Sequence, residues 1–378
     1  MTSRRGSGCY KWDVDPYDDV LPMWVADMDF KTAPEITQSV IDRAAQGIFG
    51  YTKVSDAFYD AITNWYSRRY GSHVEKNWIL YTSGVVPALS AIIKALTSPL
   101  DEVVVLTPVY NCFFSSIRNN DCNPVEVPLM RHGDSYEIDF EAFERAVARD
   151  RAKLFLLCNP HNPAGRAWSK AELRKLGEAC RRHSVTVVSD EIHSGIIMPG
   201  NTFTPYINVG SDLAANSVTT SSSSKSFNTA GLQVSYIFSP REGFRKAIDR
   251  ALNINEVCDV NPFGVEALVT AYNKCEPWLD DLCRYIYGNY ELLKSFVDKE
   301  LPELSVLRLE ATYLAWIDIR RTGMSSSLMS KKLLDNGLRL SPGNIYGNAG
   351  EGYMRINLAT QRSRVEEGLR RLKKALKG

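Results

Sequence analysis

No stretch of this sequence approaches eighteen uninterrupted apolar residues, so no segment reads as a helix able to cross a bilayer, and no membrane partner is expected. Neither sign of charge is in surplus. Lys plus Arg number 45 against 44 Asp plus Glu, a formal charge of +1, and no basic run is interleaved with aromatics, so nucleic acid is not an expected partner. The eight cysteines (Cys9, Cys112, Cys122, Cys158, Cys180, Cys258, Cys275, Cys283) form no CxxC pair and have no histidine at a matching interval. That argues against a zinc site or a disulfide framework and leaves them mostly as buried thiols, with no metal expected. Behind the two arginines near the N-terminus lies no apolar stretch of the kind a secretory leader needs, and the expected location is the cytoplasm.

At 378 residues the chain exceeds the size at which a single hydrophobic core stops growing, so two packed domains are expected. Hydrophobic residues at 44% and charged residues at 24% are the proportions of a globular protein with a sizeable core. From about Glu102 onward, short β-branched runs alternate with amphipathic stretches, the pattern of βαβ units and a mainly parallel sheet. Residues 102–106, 153–158, 185–189 and 217–220 read as strands buried on both faces. Between them, residues 169–183 read as a helix: Ser169 followed by Glu172 makes a capping box, and Leu173, Leu176 and Cys180 recur at helical spacing. The pattern changes at about Glu276, where a long helix over 278–301 leads into short strands and a final basic helix over 363–377. A second, smaller domain is expected there.

Ligands of an open parallel sheet bind beyond the carboxyl ends of its strands, so the residues that follow each strand are the first candidates for chemistry. They read Asn159-Pro-His-Asn-Pro-Ala-Gly165, Asp190-Glu-Ile-His193 and Ser221-Ser-Ser-Ser-Lys225. An amide, a carboxylate and a lysine amine suit a pyridine-aldehyde cofactor. The amine takes the aldehyde, the carboxylate keeps the ring nitrogen protonated and the amide meets the ring hydroxyl. One lysine then serves twice, because once the substrate amine displaces it, it becomes a free base beside the substrate α-carbon. For a phosphate, the turn Ser83-Gly-Val-Val86 opens an apolar helix whose free N–H groups and dipole favour an anion, with Ser222 and Ser224 able to add hydroxyls. A glycine turn at a helix start is common, and on its own it says little.

In order and spacing, from about Gly50 to Ala359, these segments resemble fold-type-I pyridoxal-phosphate enzymes, the class I/II aminotransferases. The resemblance implies an α/β, pyridoxal-phosphate transferase-like fold: a large domain over 48–277 with a mainly parallel seven-stranded sheet, and a smaller α/β domain from residues 1–47 and 278–378. It further implies that Lys225 carries pyridoxal 5'-phosphate as a Schiff base, Asp190 pairs with the pyridinium nitrogen and Asn162 bonds the ring hydroxyl. Gly84, Val85, Val86, Ser222 and Ser224 would hold the phosphate. Tyr110 matches the aromatic that stacks on the ring, and Arg355, in Tyr353-Met-Arg-Ile-Asn357, matches the arginine that clamps the substrate α-carboxylate. A bidentate clamp suits arginine better than lysine. Tyr51 resembles a tyrosine that reaches the cofactor phosphate of the neighbouring subunit, which implies a homodimer with active sites at the interface.

His193 stands where aspartate aminotransferase carries a tyrosine, and either tunes the cofactor or fills space. Gln233 and Ser235 stand where an arginine and a glycine are usual. Those departures, with Arg5-Gly-Ser-Gly-Cys-Tyr-Lys-Trp-Asp13 and Pro22-Met-Trp-Val-Ala-Asp-Met-Asp-Phe30, resemble the cystathionine β-lyase-like C–S lyase branch, in which backbone of Val25 and Ala26 would touch the substrate. The implied reaction is β-elimination from cystathionine or a related cysteine S-conjugate, giving thiol, pyruvate and ammonia. The motifs alone leave transamination, replacement chemistry on an unusual amino acid and a separate protein-binding role open; only the resemblance to this branch favours elimination.

Overall fold

A computed structural model describes residues 3–15, 19–254 and 260–378; Cys258 lies outside them. Seven strands form the principal sheet: β1 (Ile79–Thr82), β2 (Glu102–Thr107), β3 (Asn123–Pro128), β4 (Ala152–Cys158), β5 (Thr186–Asp190), β6 (Ser217–Ser221) and β7 (Ser235–Phe238). Their spatial order is β1-β7-β6-β5-β4-β2-β3. Strand β7 runs antiparallel to both neighbours, and the remaining pairs are parallel.

Alternation along each strand explains why the sheet is covered on both faces. Val104, Leu106, Phe155, Leu157 and Val187 belong to one buried cluster, whereas Val103, Val105, Leu154, Leu156 and Val188 belong to another on the opposite side. Helix α1 (Val85–Leu96) covers the second face with Ala88, Leu89, Ile92 and Ile93, all inaccessible to solvent. Helix α2 (Lys170–Arg182) starts as the sequence predicts: Ser169 accepts from the Glu172 N–H, and Glu172 bonds back to the Ser169 N–H, which satisfies donors that a helix start leaves free.

Three strands escaped the periodicity argument for physical reasons. Strand β3 contains two prolines and lies at the sheet edge, half-exposed, where a proline costs no ladder bond. Strands β1 and β7 are four residues each, too short to display a period.

A second sheet, all antiparallel, is built from β8 (Ser305–Val306), β9 (Leu314–Asp318), β10 (Ser341–Pro342) and β11 (Tyr353–Asn357), in the order β8-β9-β11-β10. Helices α3 (Glu276–Glu300) and α4 (Arg362–Lys377) pack beside it and touch each other. Near the N-terminus, Leu21–Pro22 pairs in parallel with Leu338–Arg339, so the two ends of the chain meet. The next segment, from Trp24 to Phe30, therefore runs between the second sheet and the carboxyl edge of the first. Among the described helices none is long and apolar enough to cross a membrane.

Candidate active site

Strands β4, β5 and β6 are neighbours, with Cys158 beside Asp190 and Asp190 beside Thr220 in register. Asp190 ends β5, Asn162 and Lys225 follow the carboxyl ends of β4 and β6, and all three line one cavity of about 320 Å³, a volume suited to a small cofactor. Gly84, Val85, Val86, Tyr110, His193, Ser224 and Ala26 line it too, as do Cys158, Ile192, Ala230, Gln233 and Val234.

At the base of the cavity Asp190 is buried, and its Oδ1 accepts from the Ile192 N–H at 3.1 Å. Burial pushes its carboxyl up to about 7, opposed by that N–H and by Lys225. The Lys225 amine is lowered from its ordinary value, first by the protein packed around it, while Asp27 and Asp190 act in the other direction. Its Nζ donates to the main-chain oxygen of Ala26 at 2.6 Å. His193 is buried, with Nδ1 unpartnered among protein atoms. Burial, reinforced by Lys225 and Arg355, pushes the imidazole down to about 3, so it is neutral at physiological pH.

Asn162 and Arg355 face each other across the two sheets: Arg355 Nη1 donates to Asn162 Oδ1 at 3.0 Å, and Nη2 donates to the Trp24 oxygen at 2.9 Å. With Oδ1 so engaged, the Asn162 amide has its N–H donors free. The guanidinium of Arg355 lies 4.9 Å from the Tyr346 ring centroid, is 5% exposed and leaves Nε without a partner. Tyr110 stands at the start of the helix Asn111–Arg118, and its phenol is raised well above the ordinary range, chiefly by burial.

The N–H groups of Val85 and Val86 lie in the first turn of α1, where no intrahelical acceptor exists. A Cβ at Gly84 would stand 3.3 Å from Cδ of Pro87, so a side chain there would crowd that turn. Ser224 lines the cavity, but Ser222 does not: its hydroxyl donates to the Val234 oxygen at 2.6 Å and accepts from the Ser224 N–H at 3.0 Å. Tyr51 is 98% exposed and stands away from this cavity.

Two residues at the site were not singled out by the sequence reasoning. Tyr313, wholly buried, donates its hydroxyl to the Ala26 oxygen at 2.9 Å. Asn357 Nδ2 donates to the oxygens of both Val25 and Asp27 at 2.6 Å. Asn357 sits inside the quoted segment around Arg355, but nothing in a sequence announces that a side chain will bind main-chain oxygens more than 300 positions away. No group of three or more His, Cys, Asp or Glu suited to a metal occurs among the described residues.

The donor set fits a phosphorylated pyridine aldehyde. It combines an amine of depressed basicity, a buried carboxylate, free amide donors, an unpaired helix start and two buried nitrogens without partners. A mainly parallel sheet with a lysine, an aspartate and an asparagine at adjacent strand ends defines an enzyme of the pyridoxal-phosphate transferase-like class. The chain belongs to the aminotransferase class I and II family, which matches residues 18–372. Over 99% of its length it is 41% identical to the cystathionine β-lyase PatB of Bacillus subtilis, 98% of which is covered. Cystalysin from Treponema denticola, whose crystal structure contains pyridoxal 5'-phosphate, superposes with a TM-score of 0.97 at 33% identity, covering 100% of this chain and 97% of that one. The pyridoxal-phosphate-bound C–S lyase from Staphylococcus hominis gives 0.92 at 33% identity, covering 99% and 97%.

Proposed function

We propose that this protein is a pyridoxal-phosphate-dependent C–S β-lyase that cleaves cystathionine or a related cysteine S-conjugate to a thiol, pyruvate and ammonia. The observation that carries the reading is the convergence of Lys225, Asp190 and Asn162 on one cavity, in a chain similar along its whole length to a cystathionine β-lyase and to C–S lyases of known structure. When bound, pyridoxal phosphate supplies an electron-withdrawing ring that stabilises negative charge on the substrate α-carbon.

Each residue then has a task set by its surroundings. Lys225, its basicity lowered by burial, would supply the amine that holds the cofactor aldehyde and a base beside the substrate α-carbon. Asp190 pairs with the ring nitrogen, whose positive charge favours the ionised carboxylate that burial alone opposes. Asn162, its Oδ1 held by Arg355, turns its amide N–H toward the ring hydroxyl. Tyr110 stacks on the ring, and neutral His193 offers a nitrogen near it. The Gly84 turn, the first-turn N–H groups of Val85 and Val86, and the Ser224 hydroxyl hold the phosphate, with Gln233 in place of a charged partner. The Ser222 hydroxyl supports this set through the Ser224 backbone.

Arg355 clamps the substrate α-carboxylate by exchanging the Trp24 oxygen for it, and backbone at Val25 and Ala26 borders the substrate. The working unit in this reading is a cytoplasmic homodimer, with exposed Tyr51 reaching the partner's cofactor site. Residues 48–277 form the large domain and residues 1–47 with 278–378 the small one, a division supported by the two separate sheets.

The test is to mix the purified protein with L-cystathionine, without any 2-oxo acid, and to follow pyruvate and free thiol. Both form together in the native protein and neither forms with Lys225→Ala. A cofactor absorption band without pyruvate, with turnover appearing only when a 2-oxo acid is added, would replace the lyase with an aminotransferase.

A further inference from the structure

The Ala26 carbonyl receives two donors. Lys225 Nζ reaches it at 2.6 Å and the Tyr313 hydroxyl at 2.9 Å. A carbonyl oxygen has two lone pairs, so these contacts saturate it. The flanking carbonyls are fixed independently: Trp24 by Arg355 and Ser341, Val25 and Asp27 by Asn357. Ala26 is the one position in this stretch whose oxygen faces the lysine, and Tyr313 is what holds that oxygen from the other side.

The chain is shaped to put Tyr313 there. Thr312, immediately before it, is a buried β-branched residue at φ 69°, a left-handed conformation that such a side chain rarely adopts. Its N–H is bound to the Ile196 oxygen at 2.9 Å, and its own Oγ1 accepts from the Leu314 N–H at 3.1 Å. A backbone outlier persists only where its surroundings over-determine it, and here it stands immediately before the tyrosine that leads into strand β9 and reaches the Ala26 oxygen. The Tyr313 ring also meets His193 nearly edge-on, at 6.0 Å and 76° between centroids and planes.

We infer that Tyr313 is a positioning residue for Lys225, acting through the main-chain carbonyl of Ala26. The inference rests on the reading that Lys225 carries the cofactor and then serves as the base. When the released amine takes the α-proton, the carbon–hydrogen bond breaks, a nitrogen–hydrogen bond forms and the electron pair stays with the carbon. The resulting ammonium has three N–H donors. The Ala26 oxygen accepts one of them, which orients the remaining two toward the substrate rather than leaving the amine to rotate.

The experiment compares native protein with Tyr313→Phe in two ways. Cofactor-free protein is mixed with pyridoxal phosphate, and the rate at which the lysine-linked absorption band forms is recorded, a readout that needs no turnover. Steady-state rates are then measured across pH. The variant is expected to form the band more slowly and to lose kcat on the order of 10²-fold, the scale of a misaligned catalytic group, with KM unchanged. The limb of its kcat profile that belongs to Lys225 moves to lower pH, because an acceptor that favours the charged amine is no longer held in place. Band formation, kcat and pH profile all equal to native would overturn the inference. If thermal melting shows that Tyr313→Phe does not fold, 3,5-difluorotyrosine at position 313 keeps the shape and strengthens the donor; a profile and band rate unchanged by it would overturn the inference equally. Borohydride fixation and peptide mapping separate the two claims: cofactor fixed to a residue other than Lys225 defeats the underlying reading, whereas cofactor on Lys225 with an indifferent Tyr313 defeats only this inference.

Discussion

Two regions face each other across the cavity, and they are built on different principles. The strand-end side takes Asp190 from the last position of β5 and Asn162 and Lys225 from turns that follow β4 and β6, so each functional group is fixed by a strand at most a few residues away. The facing side is the segment Trp24 to Phe30, whose own side chains contribute little to the cavity. The main-chain oxygens from Trp24 to Ala26 are instead gathered by the side chains of Arg355, Ser341, Asn357, Lys225 and Tyr313, all about 200 positions or more distant. The first side holds groups that change charge, Asp190, Glu191, His193 and Lys225. The second uses amide carbonyls, which do not titrate. The cofactor side can thus be tuned by burial and protons, while the substrate side meets the cavity through main-chain oxygens set by geometry, with Asp27 adding a charge that acts on Lys225.

The sharpest break of that division is Arg355→Lys. Lysine is a single point charge and cannot keep the Asn162 oxygen while receiving a carboxylate on two nitrogens. We expect kcat/KM to fall by about 10²-fold, mostly through KM, as loss of a charge-assisted bidentate contact implies. The cofactor absorption should be retained. A variant that lost cofactor while binding substrate normally would show that Arg355 belongs to the strand-end side instead.

How much of this was legible in the sequence follows the same line. Asn162, Asp190 and Lys225 could be located because a strand buried on both faces leaves an apolar run and its end leaves a polar break; all three then line the cavity. Residues 169–183 were legible as a helix because a capping box is a local chemical signature. Tyr313 was not, since one buried tyrosine among 18 carries no mark of which oxygen it will meet. Ser222 was singled out as a possible phosphate donor from its place in a serine run, but its hydroxyl bonds Val234 across a neighbouring strand turn. Hydroxyls two residues apart look alike in a sequence and differ in the fold by which way the turn points them.

A smaller effect should separate the two sides by pH. Glu191 is wholly buried, takes bonds from Ser189, the Tyr206 N–H and Tyr66, and burial pushes its carboxyl from 4.5 up to about 8. Because the folded value lies above the unfolded one, the folded protein binds the extra proton. The stabilisation is complete below pH 4.5 and is lost as pH rises through about 8. Melting temperatures of cofactor-free native protein and Glu191→Gln should therefore diverge, the native protein losing ground between these limits because glutamine has no proton to give up. Parallel curves would show that Glu191 is ionised throughout and that the strand-end side is less proton-sensitive than its burial requires.

Asn357→Ala should do least to activity and tell most about the segment opposite. The substitution removes donors to the Val25 and Asp27 oxygens and the acceptor of the Ala359 N–H, all in a buried place. Leaving such groups unpaired costs about 1 to 3 kcal/mol of stability. The two oxygens flank Ala26, so the lysine's acceptor loses its lateral supports while Tyr313 still holds it from behind. We expect kcat/KM to drop by roughly tenfold, a change of about 1.4 kcal/mol in transition-state stabilisation. Since no titrating group is touched, the stability difference from native protein should stay constant across pH, in contrast to Glu191→Gln. A difference that instead grew or shrank with pH would mean that loosening this segment reaches Asp27 and Lys225 electrostatically, and that the two sides are coupled through charge as well as through position.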